Sequence, residues 1–407
     1  MNVENLCVLC KGTKKLCGVS PCPKLQKVNA QYNLIPKVGE SIFGPSPPNL
    51  FIGSYNYPDV QWGPMVSVET DSATAGVNDS PALMYGKPYE EIIRLRSSLV
   101  RGKKEIHVKA KDRMLLDAQE AAMSIKTVDM ELNFTKKPVF ELSFSAVTQP
   151  MGAAAPLKDL KVADNARIPK KVDELVSEKG VKATDAVREL FSIGGGFDNY
   201  YLTRLLSSGV LGKKDNKKLV PTKWSITAMD DILAKQMMEQ IREMPELQSE
   251  FLVFTNEYLY NHFEVLLMPG KWEYEGFEAW APGTIWSQGA KKFALTEEHE
   301  PFEGRTTYAE KQVGGYYAAR FGVCEGLMNH VKKQGRAVVF REIYEGYMVP
   351  VGVWQIREQI RNTFRNTPQR FSNLKEALED VSSRLRLPLS EYKKQSEVLT
   401  QRTLAEF

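Results

Sequence analysis

The chain has 407 residues, 43% of them hydrophobic and 26% charged, and its 54 basic and 50 acidic side chains leave a formal net charge of +4. That balance describes a packed globular chain long enough for more than one domain, and it excludes disorder throughout. No apolar run nears the ~20 residues of a membrane span, and the start lacks the apolar stretch of a signal peptide, so a cytoplasmic protein with no membrane partner is expected.

The charge is uneven. Residues 1–28 hold Lys11, Lys14, Lys15, Lys24 and Lys27 against Glu4 alone, so this head carries the whole formal excess. A compact basic head on a neutral body suggests a local anion, a phosphate backbone among the candidates, with a solvated lysine face as the plainer reading. Lys14 and Lys15 are the candidate contacts. The same head reads Cys7-x2-Cys10-x6-Cys17-x4-Cys22. Four thiolates suit a tetrahedral ion, and Gly12 and Gly18 relieve the turns that such a loop needs. Neighbouring lysines offset the negative charge of the thiolates. Zinc is the expected ion, with an iron–sulfur cluster the lesser alternative. A fully cysteine-liganded zinc has no open position, so its role is structural.

The body opens on irregular Gly- and Pro-rich sequence in which Pro45, Pro47 and Pro48 disfavour helix. Interleaved aromatics from Phe43 to Trp62 predict ordered loop and short strand. Helices are predicted over 88–100 and 112–124. Val128, Met130 and Leu132, then Phe140, Leu142 and Phe144, alternate as two strands joined by a hairpin at Lys136-Lys137-Pro138. Short helices follow over 170–178, 182–192 and 198–209. Gly194-Gly195-Gly196 lies between two of them, either as a phosphate loop or, more simply, as a turn capped by Asp198. Lys213, Lys214, Lys217 and Lys218 then lead to Lys223-Trp224. Lysines beside an aromatic suit a nucleotide, with charge for phosphate and a ring for the base; the plainer version is a solvated loop beside a buried tryptophan. Lys217, Lys218, Lys223 and Trp224 are therefore candidate nucleic-acid contacts.

A helix near 227–243 is predicted to be capped by Thr227 and Asp230. The aromatic-rich stretch 250–286 reads as a strand, a turn at Pro269-Gly270 and further strands. Within it Glu273, Glu275 and Glu278 are either a paired-carboxylate site or an ordinary half-exposed strand. Helix over 307–333, a buried strand over 336–343 and helices over 353–365 and 373–399, the last broken near Pro388, complete the chain. Arg305, Arg320 and Arg341 are phosphate clamps or salt-bridge partners, and Cys324 reads as core. His107, His262, His299 and His330 are too scattered for a histidine-rich metal site, and there is no phosphate-binding P-loop and no G-x-S-x-G. Strand blocks mixed with helix blocks predict an α+β fold: a zinc-binding module over 1–28, a mixed-sheet body over 29–370, and a helical tail over 371–407.

The chain ends Gln401-Arg-Thr-Leu404-Ala-Glu-Phe407. This resembles the PCNA-interacting peptide of sliding-clamp clients. In that motif the glutamine sits in a polar pocket while the apolar and aromatic residues, three apart, share one face of a 3₁₀ turn. Here Gln401, Leu404 and Phe407 take those places. The chain stops where the usual motif has a second aromatic, which implies modest affinity.

The two ends together resemble the archaeal Nre proteins of the NreA type, which join an N-terminal four-cysteine motif to a C-terminal clamp motif. Matching body stretches are Phe43-Gly-Pro-Ser-Pro-Pro with Phe51-Ile-Gly, Leu219-Val-Pro-Thr-Lys-Trp-Ser-Ile-Thr and Ala279-Trp-Ala-Pro-Gly-Thr-Ile-Trp. Gly314-Gly-Tyr-Tyr-Ala-Ala-Arg and Val349-Pro-Val-Gly-Val-Trp continue the likeness. The resemblance implies a DNA-damage-response role, PCNA clamp association and DNA as a partner, and it supplies no reaction. Three readings stand: a clamp-recruited repair factor that binds DNA, a non-catalytic adaptor, and a nucleotide-metabolising enzyme that the tail localises.

Overall fold

The computed structural model describes the chain apart from residues 1–8, 17–19, 21, 69–70, 142–148, 285–286, 288–289, 348 and 401–407. The fold is α+β, as the mixture of strand and helix blocks predicts, and the chain divides into two compact units. One comprises residues 24–143 and 149–233; the other comprises 1–23, 144–148 and 234–407.

The first unit contains helix α1 (Pro23–Leu34) and strands β1 (Ser41–Ser46), β2 (Leu50–Ile52) and β3 (Asp59–Ser67). Helices α2 (Ser72–Asn78), α3 (Pro81–Met84) and α4 (Tyr89–Ser97) lead to β4 (Leu99–His107), followed by α5 (Arg113–Ala122), β5 (Val128–Phe134) and β6 (Ala154–Val162). The strands form one mixed sheet in the order β1-β5-β6-β4-β3-β2, with β4 and β6 parallel. β1 lies at an edge, which is where a strand tolerates Pro45. The expected hairpin is not formed as predicted. β5 pairs antiparallel with β6, and Val139 makes only an isolated bridge to Ala154; Leu142 and Phe144 lie outside the described residues. Alternation marks a strand but does not choose its partner. Val60, Trp62, Leu115, Met130, Leu132 and Leu160 pack in this unit's core. Helices α6 (Lys170–Ser177), α7 (Ala183–Ile193) and α8 (Asn199–Ser207) follow as expected.

Helix α9 (Thr222–Ile241) begins five residues earlier than predicted. Thr227 is inside it, its hydroxyl donating back to the carbonyl of Lys223 at 3.3 Å, so it caps nothing. Pro221 supplies the start instead: its carbonyl accepts the amides of Trp224 and Ser225.

In the second unit, β7 (Phe251–Tyr258), β8 (Asn261–Met268), β9 (Glu273–Trp280), β10 (Ala294–Glu300), β11 (Arg336–Ile343) and β12 (Gln369–Phe371) form a sheet in the order β10-β9-β11-β8-β7-β12. Within this sheet, among the described residues, β9 and β11 pair in parallel and the other neighbouring strands are antiparallel. Both faces are covered. On one, Leu266, Met268, Phe277, Val338 and Phe340 pack against α12 (Leu374–Arg384), α13 (Leu389–Lys393) and Val398. On the other, Tyr274 meets Tyr316 of α10 (Gly314–Gly326), and Phe254 meets Phe364 just beyond α11 (Trp354–Thr363). Helix α10 starts later than expected and runs into a π turn over Leu327–Val331. No described helix is long and apolar enough to cross a membrane.

Candidate nucleic-acid interface

The lysine–aromatic stretch is held in place by its backbone. After α8 the chain turns at Gly209, φ +73°, whose Cβ position would lie 2.4 Å from the Lys218 carbonyl, so only glycine fits. Lys214 donates its amide to Lys179, Leu219 to Val108 and Val220 to Ser207, at 2.8–3.1 Å. Leu219 is buried in the core. The loop therefore presents its lysines from a fixed strap.

Two of the predicted contacts converge. Lys218 donates to the Tyr57 hydroxyl at 3.1 Å, and its ammonium lies 5.8 Å from the centre of that ring. The Tyr57 and Trp224 rings are 5.1 Å apart and tilted by 56°. Trp224 is not the buried residue of the plainer reading: it is 43% exposed, Tyr57 is 39% exposed, and Tyr55 beside it is 90% exposed. Trp224 is held by the first turn of α9, where the Thr222 hydroxyl accepts the Ile52 amide at 2.9 Å at the end of β2. Lys223 is exposed in the same turn. Lys217 turns away, donating to the Val176 carbonyl at 2.7 Å, and desolvation lowers its pKa. Tyr57, from the turn between β2 and β3, escaped the sequence reading because it lies 161 residues from Lys218.

Other candidates settle into structural roles. Gly194, Gly195 and Gly196 all have positive φ, and Asp198 caps α8 by accepting the Tyr201 amide at 2.8 Å. Asp230, expected to help cap α9, lies inside it rather than at its start. The three glutamates of β9 are not a half-exposed row, because both faces of this sheet are covered. They also do not converge, since strand alternation sends Glu273 and Glu275 to one face and Glu278 to the other. Glu273 pairs with His299 at 2.8 Å and Glu278 with Arg341 at 2.6 Å. Arg305 pairs with Glu298 at 2.8 Å and Arg320 with Glu300 at 2.5 Å, so all three arginines are ion-pair partners. Cys324 is buried, and burial pushes its thiol up, as a core cysteine requires.

Of the four N-terminal cysteines, Cys10 and Cys22 are described, while Cys7 and Cys17 lie outside the described residues. Cys10 sits in a tight turn. Thr13 and Lys14 donate their amides to its carbonyl at 3.1 and 3.2 Å, with Lys11, Gly12 and Lys15 at positive φ. The Leu16 amide most of all, then those of Gly12, Lys14 and Lys15, hold its thiol below the ordinary value against desolvation. Amides around a sulfur suit a thiolate. Lys14 and Lys15 flank this turn and are exposed. Lys24 and Lys27 are not: they are 4% and 3% exposed on α1, so the basic head presents fewer lysines than its sequence suggests. Gln401, Leu404 and Phe407 lie outside the described residues.

A family model described as archaeal Nre, N-terminal, matches residues 16–287, and one described as archaeal Nre, C-terminal, matches residues 300–407. The chain is 35% identical to "DNA repair protein NreB" of Archaeoglobus fulgidus, over 98% of this chain and 99% of that one. It is 36% identical to "DNA repair protein NreA" of the same organism, over 93% of each. With "DNA repair protein NreA" of Haloferax volcanii it shares 34% identity over 88% of this chain and 86% of the relative. No solved structure matches the chain. The two family models together span nearly the whole sequence, and the chain belongs to the archaeal Nre family.

Proposed function

We propose that this chain is a DNA-repair factor that contacts DNA through the Tyr57–Trp224–Lys218 surface and is brought to its site of action by the PCNA sliding clamp. The observation that carries the reading is that surface: two touching, part-exposed aromatic rings with a lysine ammonium beside them. Rings supply a stacking face that tolerates any base, and ammonium groups supply charge for the backbone. The curated relatives bear the name DNA repair protein, which supports the biological setting. Lys223 supplies a further phosphate contact on that surface, Lys14 and Lys15 supply phosphate contacts of the N-terminal head by itself, and Gln401, Leu404 and Phe407 supply the clamp contact. Glu273 and Glu278 of β9 are engaged in ion pairs and Glu275 in hydrogen bonds from the tail, so the proposal is one of binding.

Zinc belongs to the same proposal. Cys10 is held in the ionised direction by backbone amides, and Cys7, Cys17 and Cys22 complete a four-thiolate set whose role would be structural. Purified protein is then expected to contain one zinc per chain by atomic emission, and Cys10→Ser to lose it. Full zinc content in that variant would remove Cys10 from the ligand set.

The clamp is tested by calorimetric titration of the cognate PCNA with the whole chain and with a chain ending at Thr400. Binding that vanishes on truncation places the contact in residues 401–407. Equal binding by the two chains moves it elsewhere, and no binding by either removes the clamp from the proposal.

A further inference from the structure

Beside the aromatic pair, and sharing Lys218 with it, lies an open cavity of about 370 Å³ between α7, α8 and the lysine loop. Its rim carries Lys182, Lys213 and Lys218, with Asn216 between them, and its floor is Leu206, Leu211 and Val220. No aspartate or glutamate is among the described residues that line it. The volume falls within the ~300–1,000 Å³ range of small-ligand pockets. Three ammonium groups above an apolar floor call for a ligand that is anionic at one end and flat and uncharged at the other. A nucleotide unit has that division: phosphate for the lysines, base for the floor, with the Asn216 amide able to donate to or accept from a base edge.

We propose that this cavity and the Tyr57–Trp224 pair are adjacent subsites for two consecutive nucleotides of an unpaired DNA strand. Lys218 is the hinge of the assignment. It lines the cavity and also donates to the Tyr57 hydroxyl. A cation shared by two base-sized sites is placed to meet the phosphodiester that joins one nucleotide to the next. Both subsites need a free base face, which a duplex keeps within its own stack. The substrate class is therefore single-stranded or locally unpaired DNA. The inference rests on the DNA-binding reading above and specifies which form of DNA is bound.

The test uses the whole chain and a fluorescein-labelled 12-mer, followed by anisotropy as a single strand and as the matching duplex, with the free mononucleotide dAMP as a third arm. Three variants are compared: Trp224→Ala, Lys218→Ala and the cavity-filling Ala183→Leu. The altered side chains are surface or part-exposed, and thermal melting checks that each variant folds. The expectation is a preference for the single strand of at least about tenfold, reduced about tenfold by Trp224→Ala, the scale of one lost base stack. Ala183→Leu should weaken the single strand while leaving duplex affinity unchanged, and Lys218→Ala should weaken the single strand more than the duplex. Equal affinity for the two forms, with the variants inert, overturns the subsites while DNA binding stands. Binding of dAMP as tight as the strand makes the ligand a free nucleotide and overturns the strand assignment. Absence of binding to any DNA overturns the DNA reading and this inference together.

Discussion

Glu275 sits on β9 with no solvent exposure and accepts hydrogen bonds from the tail: the Ser396 hydroxyl at 2.5 Å and the amides of Glu397 at 2.6 Å and Val398 at 3.4 Å. Desolvation outweighs these donors, and nearby Glu297 adds to it, so the carboxyl is pushed up to about 7. The sign follows. A folded pKa above the unfolded one means that the native state holds the proton more tightly between pH 4.5 and 7. Its stabilising contribution is complete below pH 4.5 and is lost as pH rises towards 7. Glu275→Gln is always neutral, so relative to the parent it should gain on the order of 3 kcal/mol between pH 4.5 and 7, at ~1.4 kcal/mol per pH unit. Glu297 and His299 lie nearby in both proteins, so the difference in thermal melting between variant and parent at pH 5 and pH 8 reports on Glu275. A constant difference across that range would show that the donors, not desolvation, set its charge. In the sequence Glu275 is one of three acids on an expected strand. Its partner lies 121 residues away, and no local pattern encodes that separation. The same limit hid Tyr57, whereas Trp224 and Lys218 were readable because lysines and a tryptophan stand close together in the chain.

At the scale of elements, helices were the more legible because each carries its own period. The segments from 112 and from 170 to 209 fall within two residues of prediction, and so does the break near Pro388. Strands depend on partners elsewhere. β4 reads Leu-Val-Arg-Gly-Lys-Lys-Glu-Ile-His, too charged to announce itself, and β6 carries a proline. Helix–helix packing was also illegible, because it turns on two glycines. Gly322 and Gly326 are four residues apart on α10, and a Cβ on Gly326 would lie 2.3 Å from the Phe364 ring. Alanine in a helix interior gains up to about 1 kcal/mol over glycine, whereas overpacking of a filled core costs ~1–3 kcal/mol. The overpacking term should win here, since the obstacle is a buried ring rather than a flexible tip. Gly326→Ala is expected to lower stability in urea unfolding by about 2 kcal/mol. In a Phe364→Leu background the same change should cost much less; an equal cost in both backgrounds would show that Phe364 is not the obstacle.

Across the whole chain, the ends carry motifs that sequence can display, since each is written in a few consecutive residues, but the attachment of the tail is a property of the fold. Three buried carboxylates on one face of the second sheet hold it. Glu264 accepts from the Arg384 guanidinium at 2.7 and 2.9 Å. Glu342 accepts the amides of Arg386 and Leu387 at 2.8 Å and the Tyr392 hydroxyl at 2.9 Å. Glu275 takes the last described turn, which the Thr400 hydroxyl closes on the Ser396 carbonyl at 2.7 Å. The tail is thus fixed up to the residue before the clamp-like motif. Glu342→Ala would leave four donors without their acceptor, three from the tail and the Tyr344 hydroxyl, each costing roughly 1–3 kcal/mol if it stays buried. Release of the tail avoids that cost, so the variant should open locally rather than unfold. Amide exchange followed by mass spectrometry should quicken at least about tenfold over 385–398 and stay unchanged in β1–β6, which belong to the other compact unit. Uniform quickening across both sheets would mean that Glu342 supports the whole fold and not the tail alone.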